Sequence, residues 1–366
     1  MTSRPDPSTQ SSTPDRSDTV SPSGQKRSAQ ARDTDTALHA SGTAGAHGKR
    51  PDPRADEDLD DAGRARRRAL SCMAWAGAGM LWTVSGGVPT SMLIDSARAA
   101  ELDQNAFTFV QISDSHIGFS KEPNLDPAST LQQAIDVIKL SPQRPAFMIH
   151  TGDISHLSKP GELDTAQQII RGTGLDVHYV PGEHDVLVDD GQSYLDRFSP
   201  NNPKGWYSFD QNGVHFIGLV NVMNLKAGGL GLLGDEQLDW LRRDLEARTS
   251  STPIVVFAHI PLWTVYPEWG WGTDDGARAL GYLRRFGSVT VLNGHIHQVA
   301  QKVEGSMSFY TAMSTAFPQP APGSAPNPGP MKVPADQLKS MLGLRAINFI
   351  PGHAQLAVVD TKLNNA

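Results

Sequence analysis

From residue 107 onward, short and almost wholly apolar runs alternate with longer segments whose apolar residues recur at helical spacing. Residues 107–114 read as a strand, and residues 128–140 as a helix with Leu131, Ile135, Val137 and Ile138 on its apolar side. A buried strand follows at 147–150, then a second helix at 162–171 opened by a Pro160-Gly161 turn. A shorter apolar run occupies 177–180. Residues 206–222 read as a hairpin turning at Gln211-Asn212-Gly213, because Asn-Gly accepts the positive φ that a tight hairpin requires. The segment 235–247 carries Leu238, Trp240, Leu241 and Leu245 at helical spacing. Strand 254–258, helix 277–286 and strand 290–293 continue the alternation, and late strands are expected at 301–311 and 354–359. Residues 317–334 are dense in Pro and Gly and read as a loop. No internal repeat is evident. The expectation is one α/β domain from residue 100 to 366, with two sheets sandwiched between helices.

Five short polar motifs follow these runs: Asp114-Ser115-His116, Gly152-Asp153, Gly182-Glu183-His184-Asp185, Ala258-His259 and Gly294-His295-Ile296-His297. A parallel sheet delivers its loops to one edge, so side chains just past several strand ends meet in space. Here they are carboxylates and imidazoles, a ligand set that suits zinc, manganese or iron. The pattern points to a two-metal hydrolase site.

Composition changes the picture before residue 100. Residues 1–65 are rich in Ser, Thr, Asp, Arg, Pro and Gly with almost no large apolar residue, and read as a disordered extension. Arg66-Arg67-Arg68 then precedes a mildly apolar, Gly- and Ala-rich run to about residue 88, and Ala97-Arg98-Ala99 resembles a small-residue cleavage site. Residues 66–99 therefore read as an export signal, with the adjacent arginines favouring a twin-arginine route and a periplasmic or extracellular destination. An uncleaved membrane anchor is the competing reading, because the run approaches spanning length; its Gly and Ser content and cleavage-like end favour removal. The long tract ahead of the arginines is unusual for a signal, so a start downstream of Met1 is a further expectation. Cys72, the only cysteine, lies inside the signal, leaving none afterwards, which fits an oxidising compartment. From residue 100 onward 19 Lys and Arg face 27 Asp and Glu, a formal net charge of −8 that argues against a nucleic-acid partner.

Taken in order, Asp-x-His, Gly-Asp, a Gly-Asn-His-Asp-like element, a strand-end His and Gly-His-x-His resemble the calcineurin-like metallophosphoesterase superfamily, over residues 107–297. The resemblance implies two mixed β-sheets flanked by helices and hydrolysis of a phosphoester by water activated between two metal ions (Mn, Fe or Zn). It assigns one metal to Asp114, His116, Asp153 and His297, and the second to Asp153, Glu183, His259 and His295, with Asp153 bridging. His184 would hydrogen-bond the phosphate or protonate the leaving oxygen. Asp185 would either orient the His184 ring or cap the turn. The glycines at 152, 182 and 294 would allow tight turns that carry the next residue onto the ions.

Two departures from the family stand out. Glu183 occupies a position where the family usually has Asn, one methylene longer and one charge more negative. His156 stands where the purple acid phosphatase branch has a metal-ligating Tyr, which argues against a tyrosinate-ligated ferric site. His150, His178, His215 and His353 lie outside the motifs and read as structural, and so does His156 apart from its closeness to the site. Trp263, Tyr266, Trp269 and Trp271 read either as loop packing or as an aromatic wall beside the metals. The overall pattern looks most like bacterial cyclic-nucleotide phosphodiesterases. The expected partners are a small-molecule phosphoester and, during export, a transient membrane contact. A non-catalytic binding scaffold of the same fold is the alternative, for which lost ligands would be the signature. Substrate, metal identity and oligomeric state stay open.

Overall fold

The computed structural model of the chain describes residues 106–350 and 356–365, together with the backbone of a hairpin formed by β1 (Leu81–Ser85) and β2 (Val88–Met92), paired antiparallel. The extension expected at 1–65, the rest of the signal expected at 66–99, and His353 lie outside the described residues.

Two mixed sheets form the body. The first has strand order β13-β12-β3-β4-β5, built from β3 (Phe107–Ile112), β4 (Met148–His150), β5 (Val177–Tyr179), β12 (Gly343–Phe349) and β13 (Ala357–Lys362). Within it β3, β4 and β5 run parallel, while β12 and β13 are antiparallel additions on the far side of β3. The second has order β10-β11-β9-β8-β7-β6, from β6 (Tyr207–Gln211), β7 (Val214–Gly218), β8 (Ile254–Phe257), β9 (Val289–Asn293), β10 (Gln301–Glu304) and β11 (Met307–Thr311). Here β7, β8, β9 and β11 are parallel and each outer strand closes a hairpin.

Period-2 alternation assigns each strand residue to a layer. Phe107 and Phe109, with Ile149, Phe216, Val255, Phe257, Leu292, Ile347 and Phe349, meet between the sheets. Phe109 stacks on Phe147 at 5.0 Å between ring centroids and meets Phe216 of the opposite sheet edge-on at 5.3 Å. The alternate residues Val110, Ile112 and Met148 face helices α1 (Pro127–Lys139) and α2 (Pro160–Arg171), which bring Leu131, Ile135, Leu163 and Ile170. On the other side Ile254, Val256, Val289 and Val291 pack on α4 (Asp235–Glu246) and α5 (Gly276–Leu283) through Leu238, Leu241, Leu245 and Leu283. A four-layer α/β/β/α sandwich results, and each fully buried aliphatic or aromatic side chain contributes roughly 1.5–3 kcal/mol.

Several boundaries move. The first strand stops at Ile112 because the chain leaves the ladder for a loop in which Asp114 has φ 54°. The second helix begins at Pro160 and not after it, since proline's fixed φ suits the first helical position. Residues 301–311 form a hairpin about Gly305, not one strand. The last strand is shifted to Ala357–Lys362. The hairpin at Asn212-Gly213 forms as expected, with φ 48° and 80°, and residues 317–334 hold no helix or strand. Strand β12 and the short helices α3 (Gln192–Phe198) and α6 (Ala335–Leu338) carry no clear signal in the sequence. In β12 the apolar alternation is broken by Arg345, which is fully buried because Asp360 of β13 pairs with it at 2.8 and 3.0 Å and Thr311 O accepts from it at 3.0 Å.

Candidate metal centre

The parallel strands end on one edge, and all five motifs occupy the loops there. Backbone hydrogen bonds bind these loops together: Asp114 N donates to Gly152 O at 3.0 Å, His116 N to Asp153 O at 2.9 Å, and Gly294 N to His259 O at 3.0 Å. Beneath them, between the sheets, Gln111 donates to Thr151 Oγ1 at 3.0 Å and Thr151 Oγ1 to Ser113 Oγ at 2.7 Å. Asn293 reaches the carbonyls of Ala258 and Ile260 at 2.9 and 3.1 Å. Asp114, His116, Asp153, His295 and His297 adopt left-handed backbone, with φ of 54°, 40°, 52°, 70° and 51°. Each costs on the order of 1–3 kcal/mol and persists only where the surroundings over-determine it, as at functional sites. Gly152, at φ 95°, makes the turn expected of it, whereas Gly182 and Gly294 contribute differently. Gly182 lies at φ −99°, and its need is space, since a Cβ there would collide with Asp153. A Cβ on Gly294 would collide with Ser113 and Asp114.

Asp114, His116, Asp153 and His297 each bring one donor atom within 4.8 Å of the others, and Glu183, His259 and His295 form a second such group. Asp153 Oδ2 joins them, lying 3.4 Å from His116 Nε2 on one side and 3.4 Å from His259 Nε2 on the other. Glu183 reaches inward, with Oε1 2.9 Å from His295 Nδ1 and Oε2 2.9 Å from His259 Nε2. These close pairs lack hydrogen-bond geometry: Glu183 Oε2, His259 Nε2 and His295 Nδ1 are buried without a hydrogen-bond partner. They aim at a common point instead of at one another. His259 and His297 donate Nδ1–H to the carbonyls of Thr151 and Phe317, both at 2.6 Å, which turns Nε2 of each ring to the cluster, the atom that would ligate a cation once it has given up its proton. The His297 and His116 Nε2 atoms are 3.2 Å apart.

Charge completes the case for cations. Asp114 and Asp153 are buried and Glu183 nearly so, and among the described residues their ion-pair partners are histidines only. Burial works to raise the Asp114 carboxyl, yet the His297 and His259 imidazoles hold it down to about 2. Burial likewise opposes the Glu183 charge, and His295 and His259 keep it well below the usual carboxylate range. Two buried carboxylates clustered with a third that is half-buried demand compensation that imidazoles alone supply poorly. The donor set of four histidines and three carboxylates fits metal ions.

His184 stands beside the cluster. It donates Nδ1–H to His156 O at 2.7 Å, its amide donates to Asp153 Oδ1 at 2.9 Å, and its ring stacks on His156 at 4.9 Å. Burial disfavours its charged form, but Asp153 and Glu183 outweigh that and raise its pKa. Of the two roles expected for Asp185, the contact to the His184 ring is not made and the turn cap is. The Asp185 carboxylate accepts instead from the amides of Ile154, Ser155 and Gly182 at 3.1, 2.8 and 3.0 Å and from Ser155 Oγ at 2.9 Å. Asp185 braces the loops, and the His156 carbonyl orients His184. Burial and the Asp153 charge lift the Asp185 carboxyl to about 6 despite those donors.

Among the described histidines outside the motifs, His156 lines the cavity beside the cluster, and three others are held by contacts outside the donor groups. His150 accepts from Gly152 N at 3.2 Å and therefore donates Nε2–H to Ser115 Oγ at 2.9 Å. His178 stacks on Phe209 at 3.8 Å, and His215 is buried between Asp210 and Asp244 at 2.9 and 2.7 Å. The aromatic loop divides: Trp263 packs into the core on Phe309, whereas Trp269 and Trp271 help line a cavity of about 190 Å³ beside the cluster. Phe317 has no motif to announce it. Its ring lies 4.7 Å from both His116 and His297, and its carbonyl holds His297. Gln319 is equally silent in the sequence and donates to His295 O at 3.1 Å.

Known proteins are similar to this chain. A probable cyclic nucleotide phosphodiesterase of Rhodococcus erythropolis is 24% identical over 235 residues, 61% of this chain and 76% of that protein. The serine/threonine-protein phosphatase CPPED1 of Danio rerio is 26% identical over 223 residues, 53% of this chain and 71% of that one. Among solved structures, the purple acid phosphatase PPD1 from yellow lupin seeds superposes with a TM-score of 0.50 at 12% identity, over 71% of this chain and 52% of its own, a likeness of fold alone. Residues 107–299 match the family described as calcineurin-like phosphoesterase. That span covers more than half of the chain, opens at β3 and closes just past His297, the last of the converging side chains; the chain belongs to the calcineurin-like phosphoesterase family.

Proposed function

We propose that the chain hydrolyses a small-molecule phosphoester with two metal ions of the Mn, Fe or Zn kind held by the two donor groups. One observation carries the reading: Asp153 Oδ2 sits at equal distance from a histidine of each group, where a shared carboxylate offsets the repulsion between neighbouring cations. When bound, such ions polarise a phosphoryl group and acidify water. The chain's own residues do the rest. Nδ1 anchoring aims His259 and His297 at the cluster, and Asp153 shares its charge between the groups while fixing the His184 backbone. His184, with Nδ1–H committed to the His156 carbonyl, keeps Nε2 for the phosphate or for delivering a proton to the leaving oxygen. The names of the two relatives, a phosphodiesterase and a phosphatase, support ester hydrolysis and differ over the number of ester bonds. A full ligand set disfavours a purely binding role.

The test pairs elemental analysis with a screen of p-nitrophenyl phosphate, bis-p-nitrophenyl phosphate, cyclic nucleotides and phospholipid head groups, each with Mn, Zn, Fe and Mg. Asp153→Asn is expected to lose at least one metal and nearly all turnover, because both groups lose charge at once. Full metal content with near-normal turnover in that variant would sink the assignment.

A further inference from the structure

We infer that Glu183 makes this site select singly charged phosphodiesters over doubly charged phosphomonoesters. The inference rests on the phosphoesterase reading above. Three observations on this chain carry it. First, the Glu183 carboxylate occupies the second donor group through both oxygens, 2.9 Å from His259 Nε2 and 2.9 Å from His295 Nδ1, and it does not turn away into the loop. The site is therefore one unit less positive than the same site with the asparagine that the family usually places there. Second, the side chain is 22% exposed and lines the cavity, so its charge faces an incoming substrate. Third, none of the described residues lining that cavity is a lysine or an arginine. Beyond the donors its walls are the imidazoles of His156 and His184, which reach the phosphoryl end, and the apolar surfaces of Trp269, Trp271 and Phe317, which suit an ester substituent better than a second charged oxygen.

The electrostatic consequence scales with substrate charge. A unit charge roughly 6 Å away changes the affinity of a monoanion about threefold and of a dianion about tenfold even with bulk-water screening, and more where screening is weaker. In diester hydrolysis a water oxygen bonds to phosphorus, one P–O bond to an alcohol breaks, and a proton passes to the departing alkoxide. The monoester product then loses its second proton to solvent. That product is the more repelled species, so the same carboxylate favours its release.

The experiment uses the metal-loaded full chain, with metal content measured for every protein. Calorimetric titration compares inorganic phosphate, above its second pKa, with dimethyl phosphate in the wild type, Glu183→Gln and Glu183→Asn. With metal retained, both neutral variants are expected to bind phosphate about tenfold more tightly and dimethyl phosphate only about threefold more tightly. Equal shifts for the two anions, or none, overturn the inference. Should the neutral variants lose metal, the wild type decides. A higher kcat/KM for bis-p-nitrophenyl phosphate than for p-nitrophenyl phosphate supports the inference, and the reverse order overturns it. Monoester preference leaves the phosphoesterase reading standing and removes only the role of Glu183. Turnover of neither ester with metal bound removes both.

Discussion

Two imidazoles in this site are locked by backbone carbonyls at 2.6 Å, His259 on Thr151 and His297 on Phe317, while His184 is held at 2.7 Å by the carbonyl of His156. The difference lies in where the other nitrogen goes. For His259 and His297 it enters the donor groups, and His184 shares a group only with Asp153 and Glu183, or with His116 and His156. His184→Ala is therefore expected to keep the metal content of the wild type while kcat falls by about 10² to 10⁴. Loss of metal in step with activity would make His184 a ligand and refute the division of roles. The nine carboxylates and imidazoles of the five motifs were legible in the sequence because each motif follows an apolar run, and eight of them bring a donor atom into the clusters. For Asp185 the sequence left two readings, a partner of the His184 ring or a turn cap, and its hydrogen bonds make the cap. Its position in the motif says nothing about whether it faces a side chain or three amides, and the amides of Ile154 and Ser155 come from a loop about 30 residues away.

Strands and helices deliver these residues, and the parallel strands do most of it. Strand β5 is three residues long and half-buried, yet it positions the turn from Glu183 to Asp185. Its middle residue, His178, stacks on Phe209 and meets Phe147 edge-on at 5.3 Å. Burial lowers its pKa from 6.5 to about 4, with Asp176 opposing. The folded state thus favours neutral His178, and the unfolded chain takes up the proton first as pH falls. This contribution to stability is complete above about pH 6.5 and declines as pH falls toward about 4. His178→Phe is expected to lose less stability than the wild type between neutral pH and about pH 5, measured by urea unfolding with the same metal loading. Parallel losses in the two proteins would show that His178 is not the titrating group. Strand β12 marks the limit of reading elements locally. Arg345 interrupts its apolar side, and only Asp360 and the Thr311 carbonyl, supplied by β13 and β11, make that position acceptable in a core.

At the scale of the molecule, two sheets of mixed direction pack face to face with helix pairs outside, and the site lies on the edge where seven parallel strands of the two sheets end. Export belongs to this scale as well, since it concerns the chain ahead of the sandwich. The proposal of a twin-arginine route rests on Arg66-Arg67-Arg68, the apolar run after it and Ala97-Arg98-Ala99. Replacing Arg67 and Arg68 by lysine is expected to leave the precursor in the cytoplasm, followed by fractionation and N-terminal sequencing of the product. Normal appearance of the protein outside the cytoplasm would count against that route, and a mature N-terminus far from Ala100 would refute the cleavage site.

The sequence by itself determined the succession of most strands and helices and which carboxylates and imidazoles follow the strand ends. Both follow from local periodicity: alternation by two sorts side chains to the faces of a sheet, and strand ends in a parallel sheet share an edge. The division of the donors into two groups meeting at Asp153 was implied by the family resemblance, whereas tertiary structure alone decided that Glu183 turns inward between His259 and His295 and that Phe317 walls the site and anchors His297. It also decided the left-handed backbone at five of the seven donors. These features join residues tens to hundreds of positions apart, from Phe317 and His297 to Asp114 and His295. Such contacts are selected by packing and by the pairing of buried charge, and neither is written in the spacing of residues along one stretch of chain.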